Sequence, residues 1–178
     1  MALRWSWPDE LRLVIATPGV RLATAKARAA LPGMMRREDA IFNLQRVLSL
    51  VHALQHGDYS HVREAVRDRW HQPARTPLVP LLGEVLASEM PGALGAFLSG
   101  AGPSIALLAH RDFARIEQQL SSMYERAGVP VTVRTLAVHQ GYPAGEAGSP
   151  THATAATPRP VPSEHTPDAF ASAPGRTV

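Results

Sequence analysis

The chain has 178 residues and a mass of 19.2 kDa, with 45% hydrophobic and 19% charged residues, enough to bury a core as one domain with an appendage. It contains no cysteine, which excludes disulfides, thiolate metal sites and a thiol nucleophile, and no apolar run approaches the roughly 20 residues of a membrane span. The net charge is +3 and the pI about 9.9, but 17 of the 18 basic residues are arginines scattered along the chain, so no nucleic-acid partner is expected.

The opening Met1 to Trp7 reads as a short leader with neither a basic start nor an apolar stretch, so a cytoplasmic location is expected. Leu11 to Thr17 is rich in Val, Ile and Leu and stops at Pro18-Gly19, as a strand before a turn does. Thr24 precedes a run of strong helix formers closed by Pro32-Gly33, which predicts a short helix with Thr24 as its N-cap. From Arg36 to Gln55, Ile41, Leu44, Leu48 and Val51 recur at three and four residues, predicting a long amphipathic helix that Gly57 ends. Val62, Ala65, Val66 and Trp70 suggest another helix, and Leu78, Leu81, Leu82, Val85 and Leu86 a further one entered through Pro77. Ala93–Ser99 and Ser104–Ala109 are two short strands around Gly100-Ala101-Gly102-Pro103. Asp112 caps a helix bearing Phe113, Ile116, Leu120 and Met123 and stopped by Gly128, and Val129 to Val138 is a last strand. The fold class expected is therefore α+β: a ferredoxin-like βαββαβ sheet over residues 8–140 whose first crossover is swollen by a helical insertion. Residues 141–178 hold seven of the sixteen prolines and almost no large apolar side chains, the composition of a disordered tail.

Ser99, Gly100 and Gly102 stand out as a phosphate or substrate loop. Two glycines in three positions permit positive φ, inward-turned N–H groups could cradle an anion, and Ser99 and Ser104 add hydroxyls, although a plain hairpin turn has the same signature. Thr24 and Arg28 lie four apart on one helix and share a face, a corner suited to an anion. For Arg28 and Arg75 a solvated helix face or an ion pair is the bland alternative, for His71 a structural hydrogen bond, and for Asn43 a bond to a neighbouring carbonyl. His52 and His56 are also four apart, but no Glu follows the first and no third ligand is evident, so no metal site is expected.

Four segments occur together in one order: Val20 to Pro32 with Thr24 and Arg28, Arg37-Glu38-Asp39-Ala40-Ile41-Phe42-Asn43, Asp68-Arg69-Trp70-His71-Gln72-Pro73-Ala74-Arg75, and Leu98-Ser99-Gly100-Ala101-Gly102-Pro103. Together they make the chain, from about Trp7 to Gly141, resemble the C-terminal half of the homoserine kinases among the GHMP small-molecule kinases. The resemblance implies ATP-dependent phosphorylation of the side-chain hydroxyl of L-homoserine, with magnesium, in threonine biosynthesis. It also implies that Thr24, Arg28, His71 and Arg75 face the amino acid, where an arginine fork suits its carboxylate.

The family's phosphate loop, Pro-x-x-x-Gly-Leu-x-Ser-Ser-Ala, and its acidic magnesium ligand have no match in these 178 residues, and Ala74 stands where the family carries tyrosine. Accordingly no catalytic residue is assigned, the chain is expected to be the distal part of an enzyme, and its partners would be a missing N-terminal half or a second copy. The alternative is a non-catalytic ligand-binding or regulatory module of the same fold.

Overall fold

The computed structural model describes residues 5–139. The expected tail and the first four residues of the expected leader lie outside the described residues. In chain order the elements are β1 (Arg12–Pro18), α1 (Thr24–Ala29), α2 (Arg37–His56), α3 (Val62–Ala65), α4 (His71–Arg75), a 3-10 turn (Thr76–Leu78), α5 (Leu82–Ala87), β2 (Ala93–Leu98), β3 (Ile105–Ala109), α6 (Phe113–Arg126) and β4 (Val131–Ala137). The strands form one sheet in the order β2-β3-β1-β4, with antiparallel neighbours throughout. Each crossover places its strand two positions away, with one antiparallel strand between, and this is the ferredoxin-like arrangement with helices α1 to α5 filling the first crossover.

The sheet is apolar on both faces. From β1 and β3, Val14, Ala16, Ile105 and Leu107 join Leu82 and Val85 of α5 and Ile116, Leu120 and Tyr124 of α6 in the larger core cluster. On the opposite face Leu108 packs with Leu11, Ala53 of α2 and Val62 of α3, flanked by Leu13, Leu94 and Phe97. All five residues of β3 are buried, as expected of a central strand covered on both faces. Tyr124 is fully buried with its hydroxyl donating to the Pro80 carbonyl at 3.1 Å, which ties α6 to the segment before α5.

Several local expectations are corrected. Thr24 is the first residue of α1, and the cap position belongs to Ala23, without a side-chain hydrogen bond. Asp112 holds the cap position of α6 through its carbonyl, which accepts from Ile116 at 3.0 Å, and its side chain makes no capping bond. The helix expected from Val62 to Trp70 stops at Ala65, because the chain turns through Asp68, whose carboxylate bonds forward to Gln72. The helix expected from Pro77 divides into a 3-10 turn and α5. Pro80 disfavours helical geometry at Val79, which is extended at φ −120°, ψ 114°, and Leu81 adopts φ 60° before α5 begins. At the far end of α6, Gly128 at φ 67° lets its N–H reach the Glu125 carbonyl at 2.9 Å while Val129 reaches Tyr124 at 3.0 Å, the paired closure of a Schellman motif.

Helix α2 forms over nearly the expected span, but its apolar stripe faces outward. Ile41, Leu44, Val47 and Leu48 are 45%, 66%, 59% and 71% exposed, whereas Phe42 and Ala53 are buried. The guanidinium groups of Arg46 and Arg69 lie 3.9 and 3.8 Å from the Phe42 ring centroid, and Arg46 pairs with Glu64 of α3.

Candidate functional site

Arg75, in the last turn of α4, is 6% exposed, and Gln72 on the same helix is 7% exposed. Arg75 Nε donates to the Ala27 carbonyl of α1 at 3.1 Å, and Nη1 donates to the Gly100 carbonyl of the glycine loop at 3.0 Å. One side chain thus clamps together α1, α4 and the β2–β3 connection. Among the described residues no acidic group forms an ion pair with it, whereas Arg46 and Arg67 both pair with Glu64. Those two arginines, Arg67 foremost, hold the Glu64 carboxyl below its ordinary range. A cation taken out of water with carbonyl partners alone retains most of its desolvation cost, so this position favours an anion.

Gln72 carries the second link. Its Oε1 accepts from the Leu98 N–H at 3.0 Å and its Nε2 donates to the Val66 carbonyl at 3.2 Å, which fixes α4 against the end of β2 just ahead of the glycines. Asp68 is the third. Its Oδ2 accepts from the Gln72 N–H at 2.6 Å, and its Oδ1 faces Asn43 Nδ2 at 2.8 Å and His71 Nδ1 at 3.2 Å. Asn43 Oδ1 in turn accepts from the Arg69 N–H at 3.0 Å, so this amide is occupied on both sides and bridges α2 to the Asp68 turn.

The glycine loop is built tightly. Gly100 and Gly102 have φ of 55° and 84°, in the region glycine tolerates. The Ser99 N–H donates to Ser104 O at 2.9 Å and the Gly102 N–H to Ser99 O at 3.0 Å, and the Ser104 hydroxyl meets Thr17 Oγ1 at 2.9 Å. Two of the loop's N–H groups and one hydroxyl are therefore engaged within the hairpin and with β1 rather than held open in an anion nest.

Asn43, Val47, His71, Arg75, Phe97 and Gly100 line a cleft of about 470 Å³ between α2, α4 and the end of β2. The structure brings three of the sequence-derived candidates to this cleft: His71, Arg75 and Gly100. Thr24 and Arg28 lie on the exposed side of α1, whose backbone Arg75 holds, and Ser99 and Gly102 stand behind the loop tip. A larger cleft of about 680 Å³ opens on the other side of α4 toward α5, but none of the candidate residues lines it. His52 and His56 stack on each other at 4.2 Å, and among the described residues no group of three or more His, Asp or Glu side chains stands where it could hold a metal ion.

Reading the sequence passed over Asp68 and Gln72. Their signal was present in the segment Asp68 to Arg75, where an Asp three residues before the start of a helix can reach forward to its first N–H groups.

Residues 50–126 match the family model described as GHMP kinases C terminal. The chain is 42% identical over 127 residues to the homoserine kinase of Solibacter usitatus, covering 71% of this chain and 42% of that protein. It is 44% identical over 123 residues to the homoserine kinase of Gloeobacter violaceus, covering 68% and 41%. A crystal structure of homoserine kinase from Cytophaga hutchinsonii superposes with a TM-score of 0.73 at 28% identity, covering 78% of this chain and 45% of that one. The chain thus spans about two fifths of the length of these curated relatives.

Proposed function

From the premise that residues 50–126 form a GHMP kinase C-terminal domain, in a chain similar over about 70% of its length to homoserine kinases, we propose that this chain carries the amino-acid side of a homoserine kinase site. The reaction assigned is ATP-dependent phosphorylation of the side-chain hydroxyl of L-homoserine. The observation that carries this reading is Arg75, a buried guanidinium held by two carbonyls, without an acidic partner among the described residues, beside a cleft. Its remaining N–H groups suit the two oxygens of an α-carboxylate, and its bonds to Ala27 and Gly100 fix its direction before the ligand arrives. The family's phosphate loop and acidic magnesium ligand have no match in the sequence of these 178 residues, so the contribution assigned to this chain is binding and orientation of the acceptor.

Titration calorimetry of L-homoserine into the 178-residue chain tests the assignment. Weak binding that Arg75→Ala weakens by about 2–5 kcal/mol is the expected result, since that substitution removes one partner of a charged, hydrogen-bonded contact. Binding indifferent to Arg75, or no binding at all, overturns the placement of the site. Tight binding of an ATP analogue to this chain alone, in the same instrument, shows that the division between acceptor and nucleotide sides is wrong.

A further inference from the structure

We propose that the outward face of α2 is an interface for a second copy of this chain, with the two α2 helices packed antiparallel about a two-fold axis. The inference stands apart from the reading of Arg75.

Arg37, Ile41, Leu44, Leu48, Val51 and Gln55 follow one another at intervals of four, three, four, three and four residues. That is the 3.5-residue period that keeps one narrow seam of a helix against another helix. Phe42 and Ala53 are the buried residues of α2, whereas Arg37, Ile41, Leu44, Leu48 and Gln55 are exposed. Phe42 is two residues from Leu44, about 200° around the helix, so the seam lies opposite the side that anchors α2 to the domain. The order of the seam identifies its occupant. Its spacing reads the same from either end, with Leu44 and Leu48 at the centre, Ile41 and Val51 outside them and a polar residue at each end. A two-fold interface demands this self-complementarity, because every residue i that meets j is repeated as j meeting i. Antiparallel packing sets Leu44 on the partner's Leu48, Ile41 on the partner's Val51 and Arg37 on the partner's Gln55, whose amide oxygen is an acceptor for the guanidinium. Along one flank of the seam Glu38, otherwise paired with the exposed Arg36 at 3.3 Å, comes level with the partner's His52, an acid beside an imidazole. A parallel pair would set Arg37 on the partner's Arg37, like charge on like. Apolar order and charge together select an antiparallel copy.

Sedimentation equilibrium of the 178-residue chain, from low micromolar to several hundred micromolar, tests the inference. A single helix face is a small interface, in the class below about 1,200 Å² that gives weak complexes, so a reversible dimer with a dissociation constant on the order of tens of micromolar is expected. Leu48→Glu puts a carboxylate against the partner's Leu44 twice per dimer and should weaken dimerisation by at least about tenfold. At the low micromolar concentrations of an unfolding measurement, where the chain is monomeric, the same variant should match the parent, because Leu48 is 71% exposed. The chain has no cysteine, so orientation is read by oxidation: Arg37→Cys mixed with Gln55→Cys should give mainly the mixed disulfide, and each variant alone little. A dimer that tolerates Leu48→Glu, or Gln55→Cys joined to itself in preference to the mixed pair, overturns the inference. A parent that stays monomeric overturns it as well, and dimerisation released by removing residues 140–178, or binding of the remaining part of a related homoserine kinase, then identifies the occupant instead.

Discussion

At the scale of single residues, the two glycines of the β2–β3 loop have different reasons for being glycine. A Cβ on Gly100 would meet nothing within 4 Å, so a side chain there costs only the left-handed backbone at φ 55°, about 1–2 kcal/mol. A Cβ on Gly102 would lie 3.1 Å from Val79 Cγ2 and 3.2 Å from Leu98 Cδ1, in addition to φ 84°. Overpacking of that kind adds about 1–3 kcal/mol. Denaturant unfolding should therefore rank Gly102→Ala below Gly100→Ala in stability, and equal midpoints would show that the loop yields where it is drawn as rigid. Arg75 presents a similar contrast with lysine, because a lysine ammonium cannot reproduce the forked donation to Ala27 and Gly100.

Among the elements, α2 is the one whose sequence pattern and packing diverge. Its buried residues are Phe42 and Ala53, and the Phe42 ring has the guanidinium groups of Arg46 and Arg69 close by. Phe42→Ala should cost about 3 kcal/mol, whereas Leu44→Gln and Leu48→Gln, 66% and 71% exposed, should each stay within about 0.5 kcal/mol of the parent. Thermal melts of the three variants check this, and the reverse order would mean that the outward stripe is packed in solution. The stripe of Ile41, Leu44, Val47 and Leu48 is a contiguous apolar surface of the kind that marks a contact with another polypeptide, and Val47 also borders the candidate cleft.

Over the whole molecule, two tyrosines join segments far apart in sequence and set its limit at high pH. The Tyr124 hydroxyl spans from α6 to Pro80, and the Tyr59 hydroxyl donates to Glu10 at 2.7 Å, linking the α2–α3 connection to the stretch before β1. Burial raises both phenols to about 12, helped in Tyr59 by the hydrogen bond to Glu10 and in Tyr124 by the nearby charge of Glu84. A group whose native pKa is raised keeps its proton when the unfolded chain has lost it. Stability is thus intact below the ordinary value of 10 and falls as pH climbs from 10 through 12. Unfolding midpoints measured across that window should decline, and Tyr124→Phe should flatten the decline while lowering stability at neutral pH. A decline as steep in Tyr124→Phe as in the parent would assign the effect elsewhere.

Periodicity and punctuation, which are local, were enough to determine the order of the strands and of α1, α2 and α6, and with it the ferredoxin-like sheet, but not the division of the chain between α2 and β2. Val-Ile-Leu runs bounded by Pro-Gly make β1, glycines in close succession make the β2–β3 turn, and Gly128 ends α6 because only a residue at ease with positive φ closes the helix there. The family resemblance was legible for the same reason, since its four segments are short and contiguous. What only the tertiary structure decided was the work of side chains between elements. Whether α2 buries its leucine stripe or Phe42 depends on where α3 and the sheet lie, and both faces of that helix are apolar enough to have served. The burial of Arg75 under α1 and the loop, the bond of Gln72 to β2, and the bond of Asn43 to Asp68 all join residues that spacing along the chain cannot bring together. Hydrogen bonds across 25 to 48 positions exist only once the sheet has set the distances, so the place of Arg75 beside the cleft is a property of the fold rather than of the segment that carries it.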